Sequence, residues 1–248
     1  MVQTLRLVPA LFRFTGEDVI RGRRRFFGLT LVTLCVMELL LGVRAVGGET
    51  EGLGMLLILG FWFVAGPLCR SWVDEDIRLG HAALWLQKPV LPLEFYLARV
   101  VALVGWALCA ALAVGLSALP GFVLAGGISQ LAELMFGVGW IPTILVVLSF
   151  LGSTLGARNG ALFAYATLIA GFALPGLGDS LPVGAAQSAL EVALPPADAG
   201  LTAMVSMREH GILEGVARLW PLLVYSSLCI VLGLALAVRV PSRLGQSS

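Results

Sequence analysis

The sequence predicts an all-α integral membrane protein with six transmembrane helices. Of its 248 residues, 58% are hydrophobic and 12% are charged, whereas a soluble domain usually carries about 25% charged residues. The mean hydropathy is +0.95. The apolar runs are continuous and do not alternate, which favours helices over a β-barrel. Because lipid cannot satisfy backbone polar groups, each spanning run is expected to be helical.

Six apolar runs have the length and composition of membrane spans. They are residues 26–43, 53–69, 100–119, 134–155, 161–177 and 220–238. Before the first run, residues 3–22 mix apolar positions with arginines. This pattern is typical of a helix that lies in the membrane interface, and a frayed tail is the alternative.

The distribution of basic residues predicts the orientation in the membrane. Six spans put both termini on one side, and that side then carries thirteen of the 16 lysines and arginines. Four of them, which directly precede the first span, are interpreted as topology anchors: Arg21, Arg23, Arg24 and Arg25. A nucleic-acid patch is less typical beside a span. The positive-inside rule places both termini in the cytoplasm, with the chain in the inner (plasma) membrane.

A charged insert at residues 73–99 separates the second and third spans. Its charges would each cost on the order of 3 kcal/mol in hydrocarbon, so the insert is expected on the membrane surface. One helical stripe is predicted to carry Asp74, Arg78, His81, Trp85 and Lys88. Pro89 is expected to stop this helix and Pro92 to keep the chain extended, with a new helix starting near Glu94.

Further local signals predict turns and close packing beyond the insert. Pro120 and Gly121 indicate a turn, followed by a link at residues 122–132 that dips into the interface. Gly152 and Gly156 have the GxxxG spacing that permits close helix packing.

Residues 179–218 are too charged to span a membrane and too apolar for a solvated loop. They are expected to form short helices on, or partly re-entering, the outer leaflet. Asp198 is predicted to cap one such helix, which ends at Gly211. Its apolar side would consist of Leu201, Met204 and Val205.

The motif inventory argues against catalysis by this chain. The single lysine, Lys88, is followed by proline, so a Walker A motif is absent. HExxH and GxSxG are also absent, and no catalytic residues, metal site or cofactor are expected. The four cysteines are dispersed among the apolar runs and predict neither a disulfide framework nor a zinc site. Glu38 is an intramembrane candidate, although it lies close enough to the end of its span to reach the interface.

This layout resembles the permease subunit of a type-2 ABC transporter, in the exporter branch of the ABC family. The resemblance rests on the order of interfacial helix, spans, insert and outer segment, and on a degenerate motif in the insert. That motif comprises Asp74-Glu75-Asp76, Gly80, Leu84-Trp85-Leu86, Lys88-Pro89, Pro92, Tyr96 and Arg99.

The resemblance implies that the insert is a coupling helix that docks on a separate ATPase subunit, which binds the ATP. The implied coupling residues are Asp74, Glu75, Asp76, Arg78, His81, Trp85 and Lys88. A permease homodimer or related heterodimer in membrane lipid would export an amphipathic or lipid-like cargo, with no nucleic acid involved. Alternatives are a permease like the haem-exporter B subunit of cytochrome c maturation, a non-transport scaffold, and a lipid-modifying enzyme that uses the acids near Asp74. The insert itself has the simpler alternative of a solvated loop.

Overall fold

The computed structural model describes residues 72–78, 91–124, 128–177 and 193–239, together with single residues 9, 10, 13, 32, 36, 69 and 80. Apart from these single residues, the predictions for residues 3–22, 26–43 and 53–69 lie outside the described part of the chain. The same holds for two further predictions, namely the intramembrane candidate Glu38 and the topology anchors Arg21, Arg23, Arg24 and Arg25.

The described residues form helices and contain no strand, which confirms the all-α prediction for this part of the chain. In chain order the helices are α1 (Trp72–Arg78), α2 (Pro92–Leu124), α3 (Ile128–Thr154), α4 (Gly160–Leu177), α5 (Ala197–Glu209), α6 (Ile212–Ala217) and α7 (Trp220–Ala237).

Three stretches of these helices are long and apolar enough to cross a membrane, judged by length and composition. They are Pro92–Ala113 in α2, Leu134–Thr154 in α3, and Ile212–Ala237, which comprises α6 and α7. A shorter apolar stretch, Gly160–Ala173, lies in α4. The described part of the chain therefore has the character of a helical membrane protein.

Helix α2 corrects two expectations about proline. It begins at Pro92, where an extended segment was predicted, because the first turn of a helix needs no backbone donor and favours the fixed φ of proline. It also continues through Pro120, so the predicted turn there is wrong. The predicted link at residues 122–132 is wrong at both ends, because α2 extends to Leu124 and α3 begins at Ile128. Proline is tolerated in helices of membrane proteins because neighbouring groups satisfy the freed carbonyl.

A tight turn joins α3 to α4. The amide of Ala157 donates to the Gly152 carbonyl (2.9 Å) and the amide of Gly156 donates to the Ser153 carbonyl (3.1 Å). This is a Schellman motif, and Gly156 has the positive φ, +92°, that the motif requires. Asn159 then caps α4 by accepting a hydrogen bond from the Leu162 amide.

The two glycines of the predicted GxxxG motif consequently have different roles. A β-carbon at Gly152 would collide with the Phe163 ring of α4, so this glycine permits close packing of the two helices. Gly156 belongs to the turn, and an added β-carbon there would meet open space.

Helix α3 is the centre of the described bundle and packs against α1, α2, α4, α5 and α7. It runs antiparallel to α2, since Gly115 lies against Met135 while Ala111 lies near Gly139. It runs parallel to α7, because Leu222 adjoins the same cavity as Trp140 and Gly233 lies against Phe150, further along both helices.

Helices α5 and α6 form a short helical pair at the end of the bundle where α3 and α7 begin. The residue that precedes α5 is Pro196, and Asp198 lies within the first turn, so the prediction that Asp198 caps this helix is wrong. A β-carbon at Gly200 would lie 2.5 Å from the Trp140 ring, so α5 packs closely on α3.

The apolar side of α5 also differs from the prediction. Met204 is buried as expected, but Leu201 and Val205 are exposed. The buried face instead includes the small residues Ala197 and Ala203, because small side chains allow the close approach of α5 to the bundle.

Candidate functional site

The start of α1 is held by a side chain of another helix. The hydroxyl oxygen of Ser153, in the last turn of α3, accepts hydrogen bonds from the amides of Val73 (2.9 Å) and Asp74 (3.1 Å). The first amides of a helix have no partner within the helix, so this hydroxyl acts as an N-cap supplied from a distant position. Ser153 is buried, and the contact therefore fixes α1 to the end of α3.

A buried ion pair connects α1 to α2. The Nη2 atom of Arg99 lies 3.5 Å from Oδ1 of Asp76, and both side chains are no more than 3% exposed. The guanidinium carbon of Arg99 also lies 4.5 Å from the centre of the Trp72 ring, an arrangement that gives a cation–π attraction. Arg99 therefore contacts two residues of α1.

Apolar side chains surround this ion pair. The cluster includes Val73 from α1, Phe95 and Tyr96 from α2, Phe150 from α3 and Leu234 from α7. Phe95 and Tyr96 pack edge to face with ring centres 5.0 Å apart. Exclusion of water strengthens the attraction between opposite charges, but it also makes the loss of either partner costly.

No protein-family model, curated protein or solved structure matches this chain.

The functional argument for this cluster, which we call the α1 anchor (Trp72, Asp76, Arg99 and Ser153), consequently depends on its geometry. The anchor joins a short polar helix to the ends of two long apolar helices. Such an arrangement can transmit a displacement of α1 to α2 and α3, because buried, hydrogen-bonded contacts move as a unit.

The acidic residues of α1 divide into two groups. Asp76 faces the bundle and is paired with Arg99, so its side chain is not on a surface that a partner can contact directly. Asp74 and Glu75 lie in the first turn of α1 and are half-buried. Carboxylates at this end of a helix interact favourably with its dipole.

The prediction that the coupling residues share one face of a single continuous helix is wrong. Helix α1 ends at Arg78, and Gly80 has a φ of +74°. This left-handed conformation interrupts the helical spacing on which the stripe from Asp74 to Lys88 depended. Arg78 is helical in its backbone, while His81, Trp85 and Lys88 lie outside the described residues.

Sequence reasoning missed the pairing of Asp76 with Arg99 and the cap from Ser153. The sequence pattern places Arg99 in the degenerate motif but does not indicate a partner for it. One signal was available, since an arginine directly before an apolar run needs an acid or an aromatic ring beside it when it is buried. Nothing in the sequence marks Ser153, which lies in a different helix from the amides that it caps.

The described residues offer little for other chemistry. No group of three or more histidine, cysteine, aspartate or glutamate side chains among them could hold a metal ion. His210 is 61% exposed, and its Nδ1 atom lies 4.0 Å from the carboxylate of its neighbour Glu209, which is the geometry of a solvated surface pair.

Proposed function

We propose that this chain is the membrane-spanning permease subunit of an ATP-driven ABC exporter. The observation that carries the proposal is the α1 anchor, through which a short charged helix is attached to two long apolar helices. A separate ATPase subunit would bind the polar insert and change its position on ATP binding. The anchor would pass that movement to α2 and α3.

The proposal also includes six spans, with both termini in the cytoplasm of the inner membrane, as the apolar runs and the distribution of basic residues predict. It further includes a permease homodimer or related heterodimer, which the resemblance to ABC permeases implies. The cargo would be amphipathic or lipid-like, since the apolar helices offer few ionisable groups to a hydrophilic solute. Asp74 and Glu75 are the acids of α1 that remain candidates for direct contact with the ATPase.

Co-purification from mild detergent tests the proposal. The wild-type chain is expected to retain a P-loop ATPase in stoichiometric amount. Asp74→Lys is expected to reduce the retained ATPase about tenfold or more, because charge reversal opposes a complementary partner. Trp85→Ala removes an apolar side chain that is predicted to contact the ATPase, and it is expected to reduce the retained ATPase in the same way.

Two control variants separate a docking effect from damage to the fold. Asp198→Lys makes the same charge reversal in the first turn of α5, at the opposite end of the bundle, and should leave the ATPase bound. Asp74→Asn removes the charge but keeps a residue suited to a helix start. A wild-type preparation without ATPase would instead favour a scaffold or an enzyme. Full complex and transport in Asp74→Lys and Trp85→Ala would exclude the coupling role.

A further inference from the structure

A groove lies between α2, α3 and α7, away from the α1 anchor. Its volume is about 320 Å³, which is within the range of sites for small ligands. The floor includes Phe136 and Trp140, whose rings stack with centres 6.2 Å apart. The polar side chains among the lining residues are Thr143, Ser226 and the indole of Trp140, whose Nε1 atom is buried and has no hydrogen-bond partner among the described residues. The Thr143 hydroxyl already donates to the Gly139 carbonyl at 2.9 Å.

The groove has the length of one membrane leaflet. Its lining on α3 extends from Met135 to Ile144, and a rise of 1.5 Å per residue makes this about 14 Å. The hydrocarbon core of a bilayer is about 30 Å thick, so one leaflet contributes about 15 Å. All of the α3 lining falls within the stretch Leu134–Thr154 that is suited to cross the membrane.

The rim of the groove continues into surface that is suited to contact lipid. Leu108 on α2 is 46% exposed, and Leu223 on α7 is 55% exposed. Further along the same two helices, Leu112 and Val231 are also exposed. The exposed rim residues belong to apolar helices, so the rim would face lipid if these helices cross the membrane. None of the lining residues is charged.

We propose that this groove binds one acyl chain of a membrane phospholipid, from the leaflet in which α3 and α7 begin. The apolar floor, the leaflet-matched length and the lateral opening fit a hydrocarbon chain. The absence of a charged lining residue places the lipid headgroup outside the groove. This inference concerns a resident lipid, and it does not depend on the permease proposal.

Fluorescence quenching by lipids brominated on the acyl chain tests the inference. The chain, without nucleotide or ATPase, is reconstituted in phosphatidylcholine vesicles with and without bromine. The chain has six tryptophans, so the Trp140 signal is obtained as the difference from a Trp140→Phe variant. Trp140 is expected to be quenched in the wild type. Ser226→Phe should reduce that quenching about twofold or more, because the added ring fills the groove.

A residue on the opposite side of α7 provides the control. Leu228 is 63% exposed and lies about half a turn around the helix from the residues that line the groove, so Leu228→Phe should leave the quenching of Trp140 unchanged. Leu223→Ala widens the rim and should increase the quenching, which gives a second test if Ser226→Phe fails to fold. Equal quenching in all these variants would overturn the inference. The inference would also be overturned if Trp140 is not quenched in the wild type. It would be overturned as well if Trp140 is quenched only after dilution to one chain per vesicle, because a second copy of the chain would then be what covers the groove.

Discussion

Residues of the α1 anchor are expected to contribute much more to the stability of the protein than charged residues on its surface. Arg99 interacts with a carboxylate and an aromatic ring while almost fully buried. By contrast, Arg218 pairs with Glu214 in an exposed position on α6. Exposed ion pairs one helical turn apart contribute only about 0.3–0.5 kcal/mol to the free energy of unfolding. The two arginines are therefore expected to differ in their contribution to stability, although both form ion pairs.

Replacement of Arg99 by alanine is expected to destabilise the protein by about 3–5 kcal/mol, because it leaves the Asp76 carboxylate buried without its cation. Thermal unfolding of the purified chain in detergent measures this change. Arg218→Ala is the matched control and should shift the stability by less than about 0.5 kcal/mol.

The double replacement Asp76→Leu/Arg99→Met separates the two roles of the ion pair. It removes both charges and should restore most of the stability, since apolar substitutes for a buried pair are often neutral or stabilising. If the double variant loses as much stability as Arg99→Ala, the unpaired charge of Asp76 is not the cause of the destabilisation.

At the scale of helices, glycines determine how closely the elements pack. Gly200 brings α5 against Trp140, and Gly233 brings α7 against Phe150. Gly139 differs, because an added β-carbon there would make an ordinary contact at 3.8 Å with Ala111. The glycines are therefore not equivalent, although the sequence presents all of them as small residues in apolar helices.

Gly200→Ala is expected to destabilise the attachment of α5, because the new methyl group would lie 2.5 Å from the Trp140 ring. The expected cost is about 1–3 kcal/mol, the range for overpacking. Faster limited proteolysis near α5 and a lower unfolding temperature would register this change. Gly139→Ala is the control and should alter neither quantity. Similar behaviour of both variants would contradict the close packing of α5 on α3.

Helix bounds were predictable where apolar runs are long and uninterrupted. The expected runs at residues 161–177 and 220–238 agree with α4 and α7 to within one residue at each end. The run at residues 134–155 agrees with the end of α3, but α3 begins six residues earlier, at Ile128. The errors occurred at proline, at a cap, and at Gly80, whose left-handed conformation follows the end of α1 at Arg78. Pro92 and Pro120 lie within α2 because tertiary packing and the first-turn position outweigh their local preference. Asp198 was misplaced by two residues, since α5 starts after a proline.

The candidate site was less predictable than the helices. The acidic run near Asp74 was visible in the sequence, but periodicity alone could not show that Asp76 faces inward. Its partner, Arg99, lies 23 positions away in a different helix, and Ser153 is more distant still. Contacts of this kind depend on how whole helices pack, which local patterns do not encode.

For the whole molecule, the arrangement places α1 and α5 at opposite ends of the bundle. Helix α1 adjoins the last turn of α3. Helix α5 packs on Trp140, near the middle of α3, and on α6, which directly precedes α7. If α3 crosses the membrane through Leu134–Thr154, α1 lies at one membrane surface and α5 lies on the side of the mid-plane that leads to the other surface.

Labelling of single cysteines tests this orientation. In a background without native cysteines, Asp74→Cys should react with an impermeant thiol reagent only from the cytoplasmic side. Asp198→Cys should react only from the opposite side, because the positive-inside rule places the insert in the cytoplasm. Intact cells and inverted vesicles supply the two sides. Labelling of both positions from one side would contradict the proposed topology.

The length of α2 has a mechanical consequence. Its 33 residues extend about 50 Å, and Arg99 lies seven residues from Pro92, so the anchor divides the helix into arms of about 10 and 38 Å. A movement of α1 would therefore be applied to α2 close to one of its ends. The other end, near Leu124, lies about 38 Å beyond that contact, so a small tilt of α2 about its packing on α3 would displace the two ends by unequal distances.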